Sequence, residues 1–258
     1  GGGTETVLEK AEAAGCLADG QLSVSVRDFL ENYPCGLQNG PEGLTVWTYS
    51  PLAPLVVWTQ GLGKTMEFAL ATGLDVPLPT YSTRRMPLLQ ATADWYCDSG
   101  VFGFLLPPDE KTFPIFEKRL GSLSTLGNFA WAQKDARGLY GCFNYGDIPG
   151  DGGWGNLETM GDHELLLHTF RTLSREHFEG ARLAAEHYRD VDIHHGLGFC
   201  HTHCSNHTES EEGWSHAWIQ GLADIYFLTG DGRSLDVLNE VGTRLMSKEY
   251  GFATGRDW

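Results

Sequence analysis

The stretch Leu165-Leu-Leu-His-Thr-Phe-Arg-Thr-Leu173, continued by Ser174-Arg-Glu-His-Phe-Glu-Gly-Ala-Arg-Leu-Ala-Ala-Glu-His-Tyr188, decides the fold of the larger part of this chain. Leu165, Leu166, Thr169, Phe170 and Leu173 recur at the three- and four-residue spacing that lines one face of an α-helix. Phe178, Ala181, Ala185 and Tyr188 form a second stripe, and Ser174-Arg-Glu between the two reads as a tight turn, so two antiparallel helices are expected. The pattern returns downstream. Trp218, Leu222, Ile225 and Leu228 precede Thr229-Gly-Asp-Gly, and Leu235, Leu238, Val241 and Leu245 follow it. Leu173-Ser and Leu228-Thr stand 55 residues apart, an internal repeat of low similarity. Each hairpin is apolar on one side only and must pack against neighbouring hairpins, as in an α/α toroid or solenoid.

Towards the N-terminus the hydrophobic period changes from 3.6 to two. Leu22-Ser-Val-Ser-Val-Arg27 alternates, Leu44-Thr-Val-Trp-Thr-Tyr49 is β-branched and aromatic, and Leu55-Val-Val-Trp-Thr59 and Met66-Glu-Phe-Ala-Leu70 follow. Asn32-Tyr-Pro34, Asn39-Gly40-Pro41 and Gly61-Leu-Gly63 supply turn chemistry between them. The segment from Gly73 to Pro79 suits neither helix nor central strand and marks a boundary. The expected architecture is multidomain, β plus α: residues 1–75 as the end of an antiparallel β-sandwich and 76–258 as the first part of an α/α toroid. A Pro-rich connection (Pro107-Pro108, Pro114) and a Gly-rich loop from Gly138 to Gly155 link the two regimes. With too few hairpins to close a ring, the chain reads as a fragment of a longer protein.

Composition narrows the function. The 258 residues, 41% of them hydrophobic, suffice for a real core. A net charge of −16, with no basic run longer than Arg84-Arg85, argues against nucleic acid and anionic membranes as partners. No apolar stretch is long enough to span a bilayer. Eight Trp, nine Tyr and thirteen Phe are a heavy aromatic load of the kind on which sugar rings stack.

All ten histidines lie between residues 163 and 216. His168, His177 and His187 sit among charged neighbours and read as solvated or capping side chains without a function. The segment from Asp192 to His207 packs imidazoles and thiols closely in a loop between helical hairpins. Two chemistries fit it. Cys200, His201, His203, Cys204 and His207 offer ligands for a tetrahedral metal, with Cys200, His203, Cys204 and His207 as the set to test, although the spacing matches no standard zinc module. Alternatively, the imidazoles work without a metal as acids and bases near neutral pH, and no cofactor is then required. Asn206-His-Thr208 fits an N-glycosylation acceptor in a secreted protein. In the glycine loop, Asp147, Glu158 and Asp162 admit a two-carboxylate glycosidase. Tyr145, Trp154 and Asn156 supply a phenol, a stacking ring and an amide, a trio better suited to uronate chemistry.

These residues resemble a known family. Leu22-Ser-Val-Ser-Val-Arg-Asp-Phe with Tyr33-Pro-Cys-Gly-Leu37, Gly61-Leu-Gly-Lys-Thr-Met-Glu67, Tyr145-Gly-Asp147, Trp154-Gly-Asn-Leu-Glu158, and His216-Ala-Trp-Ile-Gln-Gly221 with Leu228-Thr-Gly-Asp231 are similar, in order, to the rhamnogalacturonan exolyase and YetA-like family. The resemblance implies a polysaccharide lyase with a central β-sandwich and a C-terminal α/α toroid, acting on an acidic, rhamnogalacturonan-like polymer and favouring an extracellular setting. It implies cleft roles for Tyr145, Asp147, Trp154, Asn156, Glu158, His216 and Arg256. On this reading Tyr145, Asn156, His201, His207 and His216 carry the chemistry, while Asp147, Trp154, Glu158, His203 and Arg256 hold the substrate. The alternatives are a toroidal glycoside hydrolase and a carbohydrate-binding fragment without turnover.

Overall fold

A computed structural model describes residues 15–18, 22–55, 57–73, 88–123, 129–150, 153–158, 160–203, 207 and 213–247. They sort into two compact units: the first draws on residues 1–57, 64–87 and 140–145, the second on 58–63, 88–139 and 146–258. The expected boundary between Gly73 and Pro79 lies mostly outside the described residues.

In the first unit, β1 (Cys16–Ala18), β2 (Leu22–Val26) and β5 (Phe68–Thr72) form an antiparallel sheet in the order β1-β2-β5. Val24 pairs with Leu17 on one side and Leu70 on the other. The Ser-Val alternation of β2 does not separate a wet face from a dry one, because Ser23, Val24, Ser25 and Val26 are all buried. A central strand covered on both faces can alternate small hydroxyls with branched side chains and still enclose every one. β3 (Gly36–Gly40) and β4 (Gly43–Trp47) make a separate hairpin turned at Pro41-Glu42, with Gly43 at a φ of +105°, where a side chain would be strained. The expected strands near 22–27, 44–49 and 66–70 thus correspond to β2, β4 and β5. The run from Leu55 to Thr59 does not form one. None of its described residues is in a strand, Leu55 is 97% exposed, and the Pro51 and Pro54 that lead into it have no N–H to donate to a ladder. The described residues of this unit hold small antiparallel sheets and not a sandwich.

The second unit is largely helical. It contains α1 (Ala93–Asp98), α2 (Pro114–Leu123), α3 (Ala130–Arg137), α4 (Gly161–Thr172), α5 (Arg175–Asp190), α6 (Gln220–Thr229) and α7 (Gly232–Leu245). Both expected hairpins form. Leu173 closes α4 in the left-handed conformation, and the Ser174 hydroxyl caps α5 by accepting the His177 N–H. Gly230 closes α6 with a φ of +74° and Asp231 caps α7. Leu165, Leu166 and Phe170 of α4 meet Phe178, Ala181, Ala185 and Tyr188 of α5, Leu222 and Ile225 of α6, and Val237 and Val241 of α7 in one core. Each large side chain buried there contributes about 1.5–3 kcal/mol. A short hairpin of β6 (Ile193–His194) and β7 (Phe199–Cys200) follows α5. The two helical hairpins share a core, but the described residues do not show a toroid. No helix among them is long and apolar enough to cross a membrane.

Candidate functional site

The glycine loop of the second unit folds around one carboxylate. Asp147 Oδ1 accepts the N–H groups of Ile148 at 2.7 Å and Leu157 at 2.9 Å, and Oδ2 accepts that of Asn156 at 3.1 Å. A narrow turn closes the loop, with Gly150 N–H donating to Gly153 and Gly155 N–H to Ile148. Gly146 sets the approach: its φ is +108°, and a Cβ there would come within 2.4 Å of the Leu183 carbonyl and 2.5 Å of His187 Cβ. Only glycine lets this loop lie directly on α5.

Asp147 thereby reaches the end of α5. His187, in the last turn, places Nε2 3.1 Å from Asp192 Oδ1 and 3.7 Å from Asp147 Oδ2. Asp192 is held just past the helix end by its N–H bond to the Tyr188 carbonyl, and its own carbonyl accepts the His201 N–H. After the β6–β7 turn the chain returns and sets His207 Nδ1 3.6 Å from Asp147 Oδ2, with Trp154 stacked on the imidazole at 4.6 Å between ring centres. Asp147, His187 and Asp192 are 0% exposed and His207 is 2% exposed. Their electrostatics follow from that enclosure. Burial pushes the Asp147 carboxyl up to about 6, although His187 opposes the shift. Burial holds Asp192 well above the usual carboxylate range. His207 lies well below the ordinary imidazole value, first through burial and then through the neighbouring His187 and His201.

A second group lies on the surface of the same loops. His203 Nε2 is 3.1 Å from His216 Nε2 and 3.6 Å from Glu158 Oε1. His203 and Glu158 are open to solvent, 48% and 51% exposed, His216 is partly buried, and Trp218 lies 5.9 Å from the His216 ring. His216 is positioned from below. The buried Tyr188 hydroxyl donates to the His216 carbonyl, accepts the Trp218 N–H at 2.7 Å, and lies 3.1 Å from Cys200 Sγ. Partial burial and the adjacent His203 lower the His216 pKa, with Glu158 pulling the other way. Both groups, Asp147-His187-Asp192-His207 and Glu158-His203-His216, have the donor atoms and proximity to hold a metal ion.

The residues expected from sequence are therefore redistributed. Glu158, His203 and His216 come together at the surface. Asp147 and His207 join the enclosed group, and Trp154 covers His207. Asn156 is buried, its amide donating to the Thr202 carbonyl at 2.6 Å, so it ties the glycine loop to the histidine loop. His201 is buried beside His194 and Phe199. Tyr145 is buried in the first unit. Arg256 and Cys204 lie outside the described residues. The ligand set Cys200, His203, Cys204 and His207 is divided, with His203 in one group, His207 in the other and Cys200 against Tyr188.

His187 is the clear correction. Read from sequence as solvated or capping, it is fully buried and central to the enclosed group. A signal was present: it stands three residues after Ala184 and seven after Gly180, on the face of α5 that these small buried residues let pack closely. In the sequence Asp192 marks only the start of a loop. Compared with known protein families and with curated proteins, the chain matches none.

Proposed function

We propose that the chain belongs to a polysaccharide lyase that cleaves a uronate-containing, rhamnogalacturonan-like polymer by β-elimination. The observation that carries this reading is the exposed Glu158-His203-His216 group. It gathers two imidazoles and a carboxylate within proton-transfer reach, beside the Trp218 indole, where a polymer can approach. The ordered motifs from Leu22 to Asp231 support the same class.

In this reaction His216, kept neutral by its lowered pKa, takes the C5 proton of the uronate. The electron pair forms the C4–C5 double bond as the C4–O4 bond breaks, and His203 gives a proton to the departing oxygen. Trp218 offers a face for a sugar ring. Asn156 acts as a positioning residue through the Thr202 carbonyl. Arg256 is the cation proposed to neutralise the uronate carboxylate, without which the C5 proton is too weak an acid to remove. A hydrolase using Asp147 with Glu158 is less well supported, because Asp147 is wholly enclosed and already accepts three backbone N–H groups.

The test is incubation of the protein with rhamnogalacturonan and polygalacturonate while following the ultraviolet absorbance of an unsaturated uronate. Turnover should appear and fall at least a hundredfold in His216→Ala and His203→Ala. Reducing ends without that absorbance would replace the proposal with hydrolysis, and binding without either product would replace it with a carbohydrate-binding role.

A further inference from the structure

We propose that Asp147, His187, Asp192 and His207 form a closed, structural binding site for one first-row divalent metal ion, with zinc the best match. The inference is independent of the lyase reading, since none of the four residues is placed at the proposed point of proton transfer.

The geometry carries it. Zinc bonds to imidazole nitrogen and carboxylate oxygen at about 2.0–2.1 Å, so tetrahedral donors stand about 3.3 Å apart. The separations here bracket that value: 3.1 Å from His187 Nε2 to Asp192 Oδ1, 3.7 Å from His187 Nε2 to Asp147 Oδ2, and 3.6 Å from His207 Nδ1 to Asp147 Oδ2. All four donor atoms lie within 4.8 Å of one another, so modest contraction would bring them around one centre. Two imidazoles with two carboxylates favour zinc or a neighbouring transition ion over calcium or magnesium, which prefer six or more oxygen donors.

Three features separate this group from a chance cluster. Every donor residue is at least 98% enclosed, and in structural sites the protein supplies all the ligands, whereas catalytic sites keep one position open. Among the described residues Asp192 Oδ2 is buried without a hydrogen-bond partner, while Oδ1 meets His187, so half of this carboxylate is available to a cation. Asp147 is already oriented, with the Ile148, Leu157 and Asn156 N–H groups fixing its carboxylate as an outer shell fixes a ligand. A divalent ion would also offset two carboxylates enclosed beside two imidazoles, an arrangement that otherwise depends on protons to remain buried.

The experiment measures metal content and thermal unfolding on the same protein, as purified, after chelator dialysis, and after titration with zinc chloride. One equivalent of zinc per chain should raise the Tm of the stripped protein and then saturate. Cobalt(II) in place of zinc should give the intense visible bands of a tetrahedral site, a readout that needs no variant. Asp192→Asn should lower zinc affinity at least tenfold, the usual scale for losing a ligand or its orienting partner. The double variant His203→Ala/His216→Ala should keep the one-equivalent response. The proposal fails if zinc neither binds nor shifts the Tm of the stripped protein, if the cobalt spectrum is octahedral, or if the response follows His203 and His216 instead of Asp192.

Discussion

The two histidine–carboxylate groups each draw on the same two loops, yet water separates their roles. Asp147 and Glu158 lie eleven residues apart, and His203 and His207 four, but one member of each pair is enclosed and the other is in solvent. The enclosed group has displaced carboxyl and imidazole pKa values and no access to a polymer. The exposed group keeps Glu158 and His203 reachable, and partial burial lowers the His216 pKa. Residue type alone thus does not assign chemistry here. Enclosure turns a His-Asp set into a holder of charge, and exposure leaves a His-Glu set free to exchange protons.

The largest effect should come from breaking the enclosed side at Gly146. Gly146→Ala combines a φ of +108° with a Cβ at 2.4 Å from the Leu183 carbonyl, neither of which can relax without lifting Asp147 off α5. Strain and overpacking together should cost about 4 kcal/mol or more. Thermal or denaturant unfolding would report it, and a loss below about 1 kcal/mol would mean that the loop is not held against the helix.

A third buried carboxylate sharpens the contrast because it stands in neither group. Asp162 opens α4 fully enclosed and accepts the His163 N–H at 2.8 Å, with Asp224 as a nearby like charge. Burial first, opposed by the His163 N–H bond, pushes its carboxyl from 3.8 up to about 7. A pKa raised on folding favours the native state while the group is protonated. Its contribution is fully present below pH 3.8 and is lost as pH rises through about 7. Asp162→Asn keeps the shape and cannot ionise, so the variant should gain on wild type across that window, reaching on the order of 4 kcal/mol above it. Parallel stability curves for the two proteins would remove the argument.

How much of this was legible in the sequence depends on which force fixed each part. The helical hairpins were readable because Leu165, Phe170, Phe178 and Tyr188 repeat at the period of the helix that buries them, and Ser174 and Gly230 mark the turns. Leu55 to Thr59 misled because an apolar, branched run resembles a strand whether or not a partner exists to receive its hydrogen bonds. The clustering of histidines pointed to loops that carry members of both groups, and Glu158, His203 and His216 were among the residues singled out. Their division into a wet and a dry group was not readable. It depends on where Gly146 lets the chain touch α5 and on Trp154 covering His207, contacts set by tertiary packing and not by spacing.

The two groups are bridged by Tyr188, whose hydroxyl stands in the core beneath His216. Tyr188→Phe keeps the ring and leaves the His216 carbonyl and the Trp218 N–H without that partner, which should cost about 1–3 kcal/mol. If the exposed group is the site of proton transfer, the same change should lower kcat with little change in KM, since it moves a base and not a binding surface. Loss of stability with unchanged kcat would confine Tyr188 to the core and weaken the case for His216.

The smallest change in stability, and the sharpest test of the exposed side, is Glu158→Gln. An exposed carboxylate 3.6 Å from an imidazole contributes little to folding, so unfolding should shift by less than about 0.5 kcal/mol. Its influence is on titration. Glu158 raises the His216 pKa against burial and the His203 charge, which lower it. Removing the carboxylate lowers that pKa further. A base is active when deprotonated, so the ascending limb of kcat/KM against pH should begin below the ordinary imidazole range in wild type and move to still lower pH in Glu158→Gln. Collapse of activity at every pH would mean that Glu158 itself, and not His216, takes the proton. The enclosed group makes the matching control: His187→Gln should alter stability and leave the position of that limb where it is, because a residue that never meets the substrate has no proton to lose to it.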